Sequence, residues 1–315
     1  MTPTLGGIHH VTAIAGDPQA NFDFYAGALG LRLIKRTINF DDPGTYHLYY
    51  GDGVGTPGTI LTFFPWAGAA RGRVGSGQAS VLALSVPPQS LAFWRSRLNA
   101  HAVAFADGEP RFGAAVLALE DPHGLPLELV ESDIADPRTG WTEGAVPAEM
   151  AIRSVESVAL SIADPTRTDL LLTNLLGFRQ IGSEGSRTRY TLADGSPGAR
   201  LDVLHTPNTP AGTQGAGTIH HVAFRTQSDD QQALWMAALK EADVPVSPVR
   251  DRQYFHSLYF HDPGRVLFEI ATDTPGFATD EDSAHLGETL CLPPWLEPQR
   301  ALVERSLPPL RTALS

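Results

Sequence analysis

Cysteine is almost absent: the 315-residue chain carries one, Cys291. A disulfide framework and a thiolate-built metal cluster are therefore excluded. Basic residues are scarce too, 23 against 35 acidic ones, and the formal net charge is −12. A nucleic-acid partner is not expected from that balance, because phosphate binding draws on a basic patch. No run approaches the ~18 consecutive apolar residues of a membrane-spanning helix, so no membrane partner is expected either. The opening Met1-Thr2-Pro3-Thr4-Leu5 has neither the basic head nor the apolar stretch of a signal peptide, and a cytoplasmic location is expected. What is present is 42% hydrophobic residues, enough core for two domains of roughly 100–200 residues each, and eleven histidines, some of them adjacent.

The chain repeats itself four times. Ile8 to Ala15 reads as a strand, and Asp17-Pro18 follows it. Asp is a good N-cap and Pro suits the first helical position. Phe22, Tyr25 and Leu29 then fall at helical spacing, and Gly30 stands where a C-cap glycine belongs. Three strand-like runs come next, 31–38, 45–50 and 59–64, separated by Asp41-Asp42-Pro43-Gly44 and Gly51-Asp52-Gly53. The unit is β-α-β-β-β and spans 6–65. It returns at 153–206, where Asp164-Pro165 and Gly177 keep the same thirteen-residue separation as Asp17 and Gly30. Two more divergent copies occupy 78–131, with helical Leu91, Trp94 and Leu98, and 217–272, with helical Leu234, Ala238 and Leu239. A Pro/Gly-rich seam lies near 132–152, and a C-terminal strap over 273–315 stands outside the repeats. The expected fold is α+β: four βαβββ modules forming two barrel-like domains.

Laying the repeats over one another from their helix starts aligns His10, Ser80, Ser157 and His221. Laying them over one another from the proline of the last turn aligns Phe63, Glu128, Val203 and Glu269. Ser157 and Val203 indicate that the scaffold itself requires neither His nor Glu there. His10, His221 and Glu269 are therefore the candidate metal ligands. Two imidazoles and one carboxylate form a face suited to Fe(II), with Mn(II) possible, that leaves positions open for substrate and O2. Each candidate His follows another, His9-His10 and His220-His221. Neighbours on a strand point to opposite faces, so His9 and His220 can join the site only if the strand bends locally. One ion can be shared by the first and fourth modules only if they pack together, which leaves the second and third to pair in a barrel without metal. Glu128 has no histidine partner there and reads as structural.

The runs Gly7-Ile8-His9-His10-Val11-Thr12, Ile219-His220-His221-Val222-Ala223-Phe224 and Asp262-Pro263-Gly264 through Glu269 resemble the vicinal oxygen chelate superfamily. Within it the match is to ring-cleaving dioxygenases of the hydroquinone 1,2-dioxygenase type. It covers nearly the whole chain, including the tail 286–298. The resemblance implies Fe(II) on His10, His221 and Glu269, with His9, Thr12, His220, Arg252 and Tyr259 supporting the site. Such supporting contacts typically matter by about 10–100-fold. It implies extradiol-type opening of a hydroquinone or catechol with O2, with proton transfer at His220 and Tyr259 and anion stabilisation by Arg252.

Two rivals share the scaffold. A glyoxalase-like isomerase normally uses four protein ligands, and the expected fourth position, Phe63, offers none. A small-molecule-binding resistance protein would carry no metal. The aromatic substrate is left open between hydroquinones and catechols, as are its role in detoxification or catabolism and assembly as a homo-oligomer.

Overall fold

The computed structural model describes residues 3–313 apart from 133, 135, 193, 194, 196 and 197. The first quarter holds strands β1 (Ile8–Ala15), β2 (Arg32–Asn39), β3 (Asp42–Gly51) and β4 (Ile60–Pro65). Next come β5 (Gln78–Val86), β6 (Phe105–Asp107), β7 (Val116–Glu120) and β8 (Pro126–Glu131), then β9 (Ser154–Ile162), β10 (Arg179–Glu184), β11 (Arg187–Thr191) and β12 (Arg200–His205). The last set is β13 (Thr218–Thr226), β14 (Arg250–Asp251), β15 (Phe255–His261) and β16 (Leu267–Pro275). They form two eight-stranded sheets, ordered β14-β15-β16-β13-β1-β4-β3-β2 and β10-β11-β12-β9-β5-β8-β7-β6. Strands from the first and fourth repeats thus share one sheet, and those from the second and third share the other. The second and third repeats are neighbours in sequence, but the first pairs with the fourth from the far end of the chain, although consecutive elements usually lie adjacent.

Local chemistry explains the helices. Asp17 accepts a hydrogen bond from the Ala20 amide at 2.7 Å and caps α1 (Pro18–Phe22), which continues as wider π turns over Asp23–Ala28. Gly30 ends it at φ 71°, and Gly177 at φ 79° ends the equivalent α3 (Thr166–Leu170) with its own π turns; both positions favour a residue without Cβ. Between them, α2 (Leu91–Ala100) buries Leu91, Trp94 and Leu98, the spacing expected. In α4 (Asp229–Glu241) the buried face is Gln232, Trp235 and Leu239, and Leu234 is exposed. Of the expected positions Leu239 is buried, Ala238 half-buried and only Leu234 faces out; Trp235 and Gln232 complete the face, Gln232 donating to the carbonyls of His256 and Ile270 at 2.8 Å. A polar residue so satisfied takes a core position.

The ladder register corrects the alignment of the repeats. Between β1 and β13, Thr12 faces His221 and His10 faces Ala223, with one extra residue on each strand, His9 and His220. Between β5 and β9 the extra residues are Ser80 and Glu156. Val81 and Ser157, rather than Ser80 and Ser157, are therefore the counterparts of His10 and His221. The parallel neighbours are Thr12 with Thr62, Ala83 with Glu128, Ala159 with Asp202 and Ala223 with Glu269. Thr62 and Asp202 thus replace Phe63 and Val203 as counterparts of Glu269. Loops and helix starts vary by a residue between copies, and a one-residue slip moves a strand side chain to the other face. Phe63 accordingly packs into the core against Tyr25 and Tyr50.

The tail packs on the first sheet. Buried Lys35 of β2 reaches Asp280 and Glu281, each at 2.6 Å. Arg36 bridges to Leu290, and Tyr46 donates to the Pro308 carbonyl at 3.1 Å. No helix is long and apolar enough to cross a membrane among the described residues.

Candidate metal centre

Every residue of β1 is buried, so alternation alone does not say which side chains look into the barrel. The bulges decide it. A bulge adds one residue and bends the strand, and here it lets consecutive histidines turn toward each other. His9 Nδ1 lies 2.9 Å from His10 Nδ1, and His220 Nδ1 lies 2.8 Å from His221 Nδ1. With their Nδ1 atoms engaged, His10 and His221 present Nε2 to a common point, the two atoms 3.3 Å apart.

Glu269 completes the group. Its Oε2 is 2.8 Å from His221 Nε2 and 3.6 Å from His10 Nε2, yet it accepts no hydrogen bond of normal geometry. Oε1 accepts the Ser257 hydroxyl at 2.5 Å, which fixes the carboxylate. A fully buried carboxylate oxygen without a donor is costly, unless a cation takes that place. Metal–ligand bonds of about 2.0–2.2 Å to N and O suit three donors this close together. Burial alone would raise the Glu269 carboxyl, but His10 and His221 hold it well below the ordinary range. Burial lowers His221, although Glu269 opposes the shift. The group thus combines a carboxylate with a His221 imidazole whose protonation burial disfavours, and metal ligation needs both groups without their protons.

Of the expected supporting residues, Thr12, Arg252 and Tyr259 border this face, whereas His9 and His220 stand behind the imidazoles of His10 and His221 and do not border it. Thr12 is fully buried beside it and bonds Thr62 at 2.8 Å. Tyr259 is the ladder partner of Glu269; burial and the Glu269 charge raise its hydroxyl, against Arg252. The Arg252 Nε–H donates to Tyr259 Oη at 3.3 Å, and the guanidinium also bonds Asp41 at 3.0 Å. Burial and then the neighbouring His221 push His220 down to about 3; burial and then His10 push His9 well below its ordinary value.

Sequence reasoning missed several residues. His47, Tyr49, Asn39, Phe40, Asp41, Phe64 and Phe255 also border the small cavity, of about 30 Å³, over the metal face. Each occurs in one module only, so comparing repeats gave no signal; the hint available was His47 and Tyr49 sharing a strand face two residues apart. A larger depression, about 950 Å³ between α1 and β6–β8, shares no residue with this cavity and brings no imidazole pair together. Asp280, Glu281 and Cys291 also cluster, but the Lys35 ammonium already answers those carboxylates. Burial pushes the Cys291 thiol up to about 12, which keeps it protonated beside that ion pair.

The Glyoxalase/Bleomycin resistance protein/Dioxygenase superfamily model matches residues 7–129 and 155–270. A Bacillus subtilis protein provisionally named ring-cleaving dioxygenase MhqO is 48% identical over 309 residues, 98% of each chain. A chlorohydroquinone/hydroquinone 1,2-dioxygenase of Sphingobium indicum is 33% identical over 297 residues, 92% of each chain. A crystal structure of a provisionally named dioxygenase from Bacillus subtilis superposes with a TM-score of 0.95 at 46% identity, covering 100% of both chains. Two bulged histidine pairs across a barrel of two βαβββ modules, and relatives matched over almost their full length, place this chain in the glyoxalase/bleomycin resistance protein/dioxygenase superfamily.

Proposed function

We propose that the protein is an Fe(II)-dependent, extradiol-type dioxygenase that opens a dihydroxylated aromatic ring of the hydroquinone or catechol type with O2. His10, His221 and Glu269 are its metal ligands, and Mn(II) suits the same donors. The observation that carries this reading is the convergence of two Nε2 atoms and a donorless, buried Glu269 oxygen beneath a cavity lined by Arg252 and Tyr259. The names of full-length relatives support it. We take the enzyme to be cytoplasmic and open to homo-oligomeric assembly.

The bound metal would supply Lewis acidity that lowers a substrate hydroxyl pKa and a redox centre at which ring and O2 meet. The chain's own residues do the rest. Arg252, tied to Asp41 on the β2–β3 turn, holds a fixed positive charge at the cavity wall to steady a phenolate. Tyr259 stays protonated and serves as acid at its Oη. His220 stays neutral, and its imidazole can take a proton. His9 and His220 fix the ring orientation of the ligands through their Nδ1 contacts. A cavity of about 30 Å³ holds a few waters at most, so the cavity has to widen for a ring to enter.

The test is O2 uptake by anaerobically Fe(II)-loaded protein against hydroquinones and catechols, with metal counted per chain. One metal and ring-opened product are expected. A glyoxalase-like isomerase would be indifferent to O2, and Thr62 gives it no carboxylate as fourth ligand. A resistance protein would bind a small molecule without metal.

A further inference from the structure

His47 and Tyr49 stand on one face of β3, and their contacts continue into a chain. Tyr49 Oη is 2.8 Å from His47 Nδ1, His47 Nε2 is 2.8 Å from Thr62 Oγ1, and Thr62 Oγ1 is 2.8 Å from Thr12 Oγ1. Tyr49 and Thr12, the two ends, both border the cavity. Burial keeps the imidazole neutral and the phenol protonated. A neutral imidazole donates at one nitrogen and accepts at the other, so the chain runs in one of two directions.

The surroundings select the direction. Were Nδ1 protonated, it would donate to Tyr49 Oη, a phenol oxygen and so a weak acceptor, and the phenol, with a pKa of about 10 a stronger donor than a threonine hydroxyl, would give up the imidazole nitrogen. The Tyr49 ring lies among Tyr254, Phe255 and Phe277, and among the described residues its hydroxyl has no protein partner besides His47. The phenol donating to the imidazole pairs the stronger donor with the stronger acceptor. The opposite direction leaves the free O–H on Thr12, the ladder partner of His221, where the cavity opens on the metal face.

We propose that His47 is a positioning residue, protonated at Nε2, in a one-way relay in which Tyr49 donates to His47, His47 to Thr62 and Thr62 to Thr12. Thr12 thereby becomes a committed hydrogen-bond donor into the cavity, reinforced by the donors behind it. The ligand chemistry selected is an anionic oxygen, the phenolate of a dihydroxylated ring, which also meets the Arg252 charge. This inference rests on the ring-cleaving reading for the identity of the ligand; the tautomer is a property of the chain alone.

The experiment uses the full-length protein labelled with ¹⁵N-histidine, metal-free and loaded with diamagnetic Zn(II), and long-range ¹H–¹⁵N spectra assigned through His47→Gln. His47 protonated at Nε2 is expected, as is partial transfer of that proton to Nδ1 in Tyr49→Phe, which keeps the buried ring. Hydroquinone titrated into the Zn(II)-loaded protein should bind about tenfold more weakly to Tyr49→Phe and Thr62→Val. 1,4-Dimethoxybenzene, which has no ionisable oxygen, should bind all three proteins alike. Wild-type His47 protonated at Nδ1, or unchanged hydroquinone affinity in Tyr49→Phe, overturns the proposal. Failure of the wild type to take up Zn(II) overturns the metal reading instead, and the metal-free spectra still decide the tautomer.

Discussion

The two sheets carry the same four inward positions and fill them oppositely. In the first sheet they hold His10, His221, Glu269 and Thr62; in the second, Val81, Ser157, Glu128 and Asp202. The second barrel has more carboxylate, yet its imidazoles are missing and arginines answer its acids. Arg111 pairs with Glu128 at 2.8 Å, and Arg189 and Arg187 each reach Asp202 at 2.7 Å. Glu156, the counterpart of His220, pairs with Arg200. Acidic residues at the right register therefore do not make a metal site. What separates the barrels is whether the buried carboxylate meets fixed cations from the chain, or imidazoles and a donorless face.

Four experiments would break or sharpen that contrast. The largest effect is expected from His10→Ala and Glu269→Ala, which should lose bound metal and ring cleavage together, well beyond the about 10–100-fold typical of residues behind the ligands. Elemental analysis beside O2 uptake checks it; full metal content in either variant would place the ion elsewhere. In the second barrel, Arg189→Ala removes one of the two guanidiniums on buried Asp202, leaving Arg187, and should cost about 2 kcal/mol, read by denaturant melts, with metal content unchanged.

Arg252→Ala should keep its metal and lose turnover by about 10–100-fold. Metal loss equal to that of His10→Ala would make Arg252 part of the scaffold instead. The smallest effect is on pH dependence. Burial lowers His9, His47, His220 and His221 in the first barrel. Below about pH 6.5 the unfolded chain takes up protons that the folded chain refuses, so the metal-free protein should lose stability as pH falls. His47→Gln should flatten that slope by about 1.4 kcal/mol per pH unit, measured by urea melts between pH 6.5 and 5. An unchanged slope would mean His47 is charged in the fold.

Much of the site was legible because it is symmetric. His9-His10 and His220-His221 are repeated dipeptides in repeated strands, and Glu269 follows a turn, Asp262-Pro263-Gly264, that announces its strand. The module pairing followed from the same residues, since candidate ligands 211 positions apart would have to meet at one ion. His47, Tyr49 and Asp41 have no counterparts in the other modules, so nothing in the sequence set them apart from ordinary strand and turn residues.

By itself the sequence determined the repeat grammar, because capping, the positive-φ glycines and strand alternation are local, and it determined which side chains had the chemistry of a ligand. Only the tertiary structure decided the faces. The bulges at His9 and His220 turn paired histidines to one side, and a bulge is a property of two paired strands rather than of either alone. Register across the parallel ladders put Thr62 and Asp202, and not Phe63 and Val203, opposite the ligand positions. Arginines from neighbouring strands neutralised one barrel, whereas none reaches Glu269. These are long-range choices, made when strands from distant modules meet, and local spacing carries no record of them.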